Sequence, residues 1–238
     1  GGVMRRVALG AVAVAAALVV GPWIYINVVR DEAPAALDLP ATSVAVEPTD
    51  APGATAAPTT TTAPADPSGT WVAAAGSVAG YRVDEVLFGQ RVTAVGRTSG
   101  VTGEITIDGG ALRAAAFTVD LTTVASDNAK RDSQFANRIM DVLNHPTATF
   151  ALTEPVEIGS AALAGAELAT AATGELTLRG TTRPVVVDLR ARLAGSTIEV
   201  TATTEIVFAD WGIPDPSLPG IRTEDRGILE VLLVLGRA

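Results

Sequence analysis

From Gly69 to the C-terminus, apolar and polar residues alternate with a period of two, and this pattern constrains the fold more than any other feature. Within residues 185–193 and 197–208, one face is almost entirely apolar and the other carries mainly charged residues or threonine. Alternate side chains of a β-strand point to opposite faces, so each such segment predicts a strand with one buried face. Glycine-rich turns separate these segments, and about eight strands fit between residues 71 and 236. The pattern therefore predicts an all-β, antiparallel domain, either a sandwich or a closed barrel.

Residues 126–143 interrupt the alternation and predict one helix in the middle of the chain. Apolar residues recur in this segment at helical spacing. Ser126 or Asp127 is suited to cap the start of the helix, and Pro146 stops it. We expect this helix to close one mouth of a barrel or to pack against its wall.

Residues 7–29 form a run of 23 residues without a charge and predict a transmembrane helix. A helix of this length rises about 34 Å, which is enough to cross a hydrocarbon core of about 30 Å. Arg5 and Arg6 precede the run and favour a cytoplasmic N-terminus. We therefore expect a single-pass protein of the cell membrane, with its C-terminal domain outside the cytoplasm. A signal peptide cleaved after Ala35 is the alternative, and it would make the same domain a secreted one.

Residues 31–68 contain seven prolines and many alanines and threonines, without either a strand or a helix period. Such a composition buries little apolar surface, so it predicts an extended, disordered linker. The chain is thus divided into an anchor over residues 1–30, a linker over residues 31–68 and a β-domain over residues 69–238.

Charge and residue usage exclude several classes of function. A net charge of −9 argues against nucleic-acid binding through basic patches. The chain has no cysteine and a single histidine, His145, so thiolate metal sites, cysteine nucleophiles and most histidine-based sites are excluded. Neither a nucleophile elbow nor a phosphate-binding loop is present in the sequence. We therefore expect a protein that is not an enzyme and that needs no cofactor or metal ion.

Three blocks of the β-domain, taken in order, resemble a known family. Residues 118–150 contain a turn, the pair Arg131-Asp132, the predicted helix and the strand entry that leads to Phe150. Residues 174–185 follow the pattern G-x-L-T-L-x-G-x-T-x-P-V, and residues 210–213 are similar to a D-F-G-I turn. Together they resemble the YceI-like family, the lipocalin-like polyisoprenoid-binding proteins of bacteria, over roughly residues 71–236. His145 departs from the pattern, because the family usually carries an aromatic residue there.

The resemblance implies an eight-stranded, lipocalin-like antiparallel barrel with a long apolar cavity that holds an isoprenoid chain. A barrel of eight strands can enclose one ligand if its inward side chains are small, and this domain is rich in alanine and valine. The expected ligand is an isoprenoid lipid, either a quinone or a polyprenyl phosphate.

Six residues are candidates for ligand binding: Phe117, Arg131, Phe135, Phe150, Phe208 and Trp211. Arg131 can meet a polar headgroup, or it can form a salt bridge or cap that fixes the helix to the barrel. The four phenylalanines can line a cavity or belong to an ordinary core. Trp211 can lie at the rim or pack to close the fold.

The sequence thus predicts a membrane-tethered binding protein for an isoprenoid lipid or another long apolar molecule, located outside the cytoplasm. The alternative is a non-catalytic accessory subunit of a larger membrane protein complex. Gly10, Ala13 and Ala17 give the predicted anchor a face of small residues, which suits packing against partner helices.

Overall fold

The computed structural model describes residues 33–40 and 66–238. The predicted membrane span over residues 7–29 lies outside the described residues, as does the linker segment 41–65. Among the residues that are described, no helix has both the length and the apolar character needed to span a membrane.

The β-domain consists of strands joined by short turns, with a few short helical segments. The strands are β1 (Gly69–Ala73), β2 (Val78–Leu87), β3 (Gln90–Thr98), β4 (Val101–Asp108), β5 (Ala111–Asp120), β6 (Ala125–Ser126), β7 (Thr147–Leu152), β8 (Val156–Glu157), β9 (Leu168–Leu178), β10 (Thr181–Ala194), β11 (Thr197–Val207), β12 (Ile221–Thr223) and β13 (Arg226–Arg237). The helical segments are α1 (Ala129–Gln134), a π-helical turn (Phe135–Ile139), α2 (Gly159–Leu163) and two 3-10 turns, Leu121–Thr123 and Phe208–Trp211.

The strands form a closed barrel because β13 pairs on both of its sides. One side of β13 pairs with β11, and the other pairs first with β2 and then with β1. β1 and β2 are therefore two halves of one barrel strand, and their partners β4 and β3 are the halves of the next one. With β5, β7, β9, β10, β11 and β13, this makes an eight-stranded barrel in which all pairings are antiparallel. The predicted barrel is confirmed, and the sandwich alternative is excluded.

The alternation along each strand places the apolar face inside the barrel. One cluster of buried residues lies at each end of the barrel. One cluster surrounds Phe135 and Trp211, where α1 and the 3-10 turn Phe208–Trp211 cover the barrel. The other surrounds Trp71 and Leu235 at the opposite end. The predicted helix therefore covers one mouth of the barrel.

The helix is shorter than predicted at both ends. It begins after Asn128, whose side chain accepts a hydrogen bond from the Lys130 N–H at 2.9 Å, so neither Ser126 nor Asp127 is the cap. Ser126 is engaged elsewhere, because it lies in β6 and its hydroxyl donates to Asp132 at 2.6 Å. The helix ends in the π-helical turn, well before the predicted end at residue 143.

Residues 33–40, predicted to be part of a disordered linker, lie against the outer wall of the barrel; we call them the strap. Arg82 donates to the Pro34 carbonyl at 2.7 Å, and Arg190 forms an ion pair with Asp38 at 2.7 Å. Arg82 lies in β2 and Arg190 in β10, so the strap extends across several barrel strands. For these eight residues the prediction of disorder is wrong, because paired arginines of the wall hold them in place.

Glu230 is the centre of this contact. Its neighbours on β13, Leu229 and Val231, pack into the interior, so Glu230 faces outward, yet only 3% of it is exposed. The Leu37 N–H donates to its carboxylate at 3.1 Å, and Arg97 pairs with it at 2.8 Å. A carboxylate on an outer wall is ordinarily solvated, so its burial here reflects coverage by the strap.

Replacing Glu230 by glutamine is expected to loosen the strap and to lower the free energy of unfolding by about 2–3 kcal/mol. Removing one partner of a fully buried ion pair costs about 3–5 kcal/mol, and the loss is smaller here because the arginines keep contact with water. Urea denaturation measures the free energy, and hydrogen exchange at the Leu37 amide reports whether the strap is docked.

The matched control is Glu205→Gln, which removes a carboxylate from an exposed ion pair with Arg226 on the same barrel. Such a pair contributes at most about 1 kcal/mol. Equal effects of the two substitutions, or an unchanged exchange rate at Leu37 in the Glu230 variant, would contradict a docked strap.

Candidate ligand-binding cavity

The barrel contains a cavity of about 360 Å³ that is partly open to the outside. Residues from both buried clusters line it, so it extends through the interior from one end towards the other. Gly227 and Leu233 of β13 both line it, and six residues of strand span roughly 20 Å. The lining is almost entirely apolar, which suits a long hydrocarbon chain.

Small side chains leave space in the barrel where larger ones would fill it. An eight-stranded barrel is just wide enough for ordinary side chains to occupy its interior. Here alanines from several strands face the cavity: Ala79, Ala94, Ala115, Ala172 and Ala202.

Aromatic rings lie flat against the wall because glycines on neighbouring strands make room for them. A Cβ atom built on Gly96 would lie 2.4 Å from the Tyr81 ring, and one on Gly174 would lie 2.4 Å from the Phe150 ring. Phe117 lies in the same way over Gly103. Since no side chain fits between the ring and the backbone, the rings form part of the wall and do not cross the cavity.

The structure brings five of the six candidate residues to one cavity. The lining includes Phe117, Arg131, Phe135, Phe150 and Phe208. They come from β5, α1, β7 and the two helical turns near the covered mouth, which are distant in sequence.

Trp211 is the exception, because it does not belong to the cavity lining. Its exposed fraction is 4%, and its indole N–H donates to the Leu176 carbonyl at 3.4 Å. The Arg183 guanidinium lies over the ring at 5.9 Å from its centre. Gly212 follows in the left-handed conformation, with φ of 62°, and ends the 3-10 turn. Trp211 therefore occupies the position expected of a residue that closes the fold, and the interpretation as a rim residue does not fit it.

One end of the cavity carries polar side chains, and we call Tyr81, Glu85, Arg131 and Thr223 the polar end. Arg131 pairs with Glu85 at 3.7 Å and also with Asp127, so it joins α1 to β2. The salt-bridge interpretation of Arg131 is thus confirmed, while the same side chain also lines the cavity.

Tyr81 places a phenol among these charges. Its ring stacks on Phe135 with centres 5.3 Å apart. Burial raises the pKa of the Tyr81 phenol, and the neighbouring Arg131 lowers it by a smaller amount. The phenol therefore stays protonated at neutral pH and keeps a hydrogen that it can donate.

The six candidates did not include several residues that face the cavity. Period-two alternation over β2 places Tyr81 and Glu85 on one face, so the sequence carried a signal for them. Thr223 had no such signal, because β12 has three residues and only its pairing with β2 aligns it with Glu85. Leu163 of α2 also lines the cavity, although it lies in an alanine-rich insert that the alternation does not cover.

The residues that line the cavity can offer a bound molecule apolar contacts and a few hydrogen bonds. Over residues 33–40 and 66–238, no three His, Cys, Asp or Glu side chains lie close enough together to hold a metal ion. The carboxylate of Glu85 at the polar end is held by Arg131. Apolar walls with a few polar groups are typical of a binding site for a largely apolar small molecule.

Comparison with known proteins finds one family and several solved structures. The YceI-like domain matches residues 71–234. No curated protein matches. A polyisoprenoid binding domain from Saccharophagus degradans, implicated in plant cell wall breakdown, is 17% identical, with a TM-score of 0.57 over 71% of this chain and 98% of its own. Burkholderia cenocepacia BcnA is 19% identical, with a TM-score of 0.51 over 65% of this chain and 95% of its own. At these identities the two structures show the same fold.

Gly96→Ala is expected to lower the free energy of unfolding by about 1–3 kcal/mol, because its Cβ would displace the Tyr81 ring from Phe135. Gly236→Ala is the control, since its Cβ would meet only the Ala74 methyl group at 4.0 Å. Urea denaturation measures both changes. An unchanged stability of the Gly96 variant would contradict the packing of Tyr81 described above.

Proposed function

Since this chain belongs to the YceI-like family, we propose that its barrel binds a polyisoprenoid lipid or a similarly long apolar ligand. The observation that carries the proposal is the apolar cavity of about 360 Å³ inside the barrel. The Saccharophagus degradans protein of the same fold is described as a polyisoprenoid binding domain, which supports the same ligand class here.

In this proposal, the affinity comes from burial of the ligand's hydrocarbon chain in the cavity. Transfer of apolar surface from water into the cavity contributes about 25 cal/mol for each Å². The wall of alanines and flat rings is already formed, so little rearrangement opposes binding. We propose that the protein holds or carries the lipid without transforming it, and the almost wholly apolar lining supports this role.

We further propose that residues 7–29 anchor the protein in the cell membrane, with the barrel outside the cytoplasm. The uncharged run and the preceding Arg5 and Arg6 support this arrangement. The strap supports a short tether. A free linker over residues 31–68 could extend about 130 Å, whereas a strap held at the Pro34 carbonyl by Arg82 leaves at most about 17 Å of chain after residue 29. The barrel would then stay close to the bilayer from which its ligand must come.

Ala172→Phe is expected to weaken lipid binding at least tenfold, because the added ring enters the cavity between the two buried clusters. The measurement is native mass spectrometry of the full chain in mild detergent, titrated with geranylgeraniol. Thermal unfolding shows whether the variant remains folded.

The matched control is Ala171→Phe, the same substitution on the adjacent residue, which is exposed on the outer face of β9. It should bind geranylgeraniol as the unaltered protein does. If the unaltered chain binds no lipid and is extracted from its own membrane as part of a large assembly, the accessory-subunit alternative is favoured instead.

Deleting residues 7–29 is expected to move the protein from the membrane fraction to the soluble fraction. The full chain should resist extraction by alkaline carbonate, because its predicted anchor crosses the bilayer. Deletion of residues 41–65 is the control: it removes a similar length of linker and should leave the protein in the membrane. Release of the full chain by carbonate would reject the anchor.

A further inference from the structure

Three of the four large apolar residues that are exposed in the described part of the chain lie at the covered mouth of the barrel. Phe88 belongs to the β2–β3 turn, Leu143 follows the π-helical turn, and Leu218 lies in the loop before β12. Phe88 is 60% exposed and Leu143 is 93% exposed. The fourth residue, Val186, lies on the outer face of β10. Exposed apolar groups gathered in one place are typical of a contact surface. We call Phe88, Leu143 and Leu218 the apolar tip.

Phe88 occupies a turn position that suits other residues better. Phe88 and Gly89 form the two-residue turn between β2 and β3, with φ of 48° and 87°. Such a turn favours Asn-Gly, because a bulky side chain is strained at positive φ. The Phe88 N–H donates to the Gly220 carbonyl at 3.0 Å, and the ring lies over Gly220 but remains exposed. Neither burial nor backbone preference accounts for a phenylalanine here, which indicates a contact with something outside the barrel.

The apolar tip borders the cavity. Pro216, two residues before Leu218, lines the cavity, and so does Ile139, which ends the π-helical turn before Leu143. Arg138 joins the two segments, because its guanidinium donates to the Pro216 carbonyl at 2.7 Å. Whatever contacts the tip therefore lies next to one end of the cavity.

The strap runs along the barrel in a direction that relates it to the tip. Arg82 binds the Pro34 carbonyl, and Arg192 binds the Pro40 carbonyl. Arg82 lies on β2, six residues before Phe88. Arg192 lies two residues before the end of β10, at the opposite mouth. The N-terminal end of the strap is therefore its end nearest the tip.

The length of chain before the strap decides which mouth an anchored barrel can bring to the membrane. At most about 17 Å of chain separates residue 29 from Pro34. Arg82 pairs with Ile228, which lies nine residues before Arg237 at the opposite mouth. With strands tilted about 40° to the barrel axis, Arg82 lies roughly 15 Å from the level of the tip and roughly 23 Å from the level of Arg237. The tether spans the first distance and is shorter than the second.

We propose that the apolar tip inserts into the surface of the lipid bilayer and holds the covered mouth of the barrel against it. The inference rests on the proposed function, because the tether argument places residues 7–29 in the membrane. With a net charge of −9 the chain is not drawn to anionic headgroups, so burial of the ring and the two leucines supplies the attraction. A lipid ligand can then pass between bilayer and cavity with little exposure to water.

The chain has no cysteine, so a single nitroxide label can be placed at either end of the barrel. Leu143→Cys carries it at the tip, and Ala164→Cys carries it on an exposed residue after α2, at the opposite mouth. The full chain is reconstituted in phosphatidylcholine vesicles, and power-saturation EPR measures access of oxygen and of an aqueous nickel complex. The oxygen-to-nickel ratio is expected to be about tenfold higher at residue 143 than at residue 164, because only the tip lies below the headgroups.

Each other outcome of this experiment overturns a stated part of the proposal. Equal ratios at the two sites, or a higher ratio at residue 164, would overturn the inference and leave the anchor intact. Immersion of residue 143 in native membranes but not in phosphatidylcholine vesicles would assign the tip to a protein partner and would also overturn it. Failure of the full chain to float with the vesicles would reject the anchor, and the tether argument with it.

Phe88→Asn replaces the ring by a residue that this turn favours. In the chain labelled at residue 143, it is expected to lower the oxygen-to-nickel ratio about fivefold, because burial of the ring in lipid is lost. The midpoint of urea denaturation should stay the same or rise, since asparagine tolerates positive φ.

The matched control is Val186→Asn, which replaces another exposed apolar residue on the outer wall and should leave the ratio unchanged. An unchanged ratio in the Phe88 variant, or an equal fall in both variants, would contradict insertion of the tip. A lower urea midpoint in the Phe88 variant would show that the fold itself requires the ring, and it would remove the argument from the strained turn.

Discussion

The pairing of β13 on both sides is the constraint on which the rest of the structure depends. This strand pairs with β11 along its length, and on its other side with β2 and then β1. Closure leaves the barrel without a free edge and separates an inner apolar face from an outer polar one. The cavity, the covered mouth and the docked strap all require these two faces, and an open sheet would provide none of them.

A closed barrel of this size need not be hollow, and the glycine–aromatic pairs explain why this one is. Gly96, Gly103 and Gly174 each accommodate a ring from a neighbouring strand, so the rings lie along the wall. The alanines that face the cavity leave further space. Side chains around such a cavity make fewer contacts with one another than those of a packed core. Occupation by an apolar ligand would restore those contacts.

Two carboxylates held by arginines, the buried Glu230 and the half-buried Glu85, attach the strap and α1 to the barrel. Glu230, with Arg97 and Arg82, receives the strap on the outer wall. Glu85, with Arg131, holds α1 at the covered mouth. In both places the ion pair has a structural role. At the mouth the same two side chains also line the cavity, so the pair that attaches the helix supplies polar groups to the candidate site.

The sequence by itself determined the strands, their inward faces and the presence of one helix, because strand alternation and helical spacing are local properties of the chain. The match of its motifs to a family extended this to a closed barrel with an apolar interior. Only the tertiary structure decided that Trp211 lies behind the lining, that Thr223 stands beside Glu85, and that residues 33–40 dock on the wall. Each of these depends on contacts between residues far apart in sequence, and no local pattern records which distant strand, charge or carbonyl a side chain will meet.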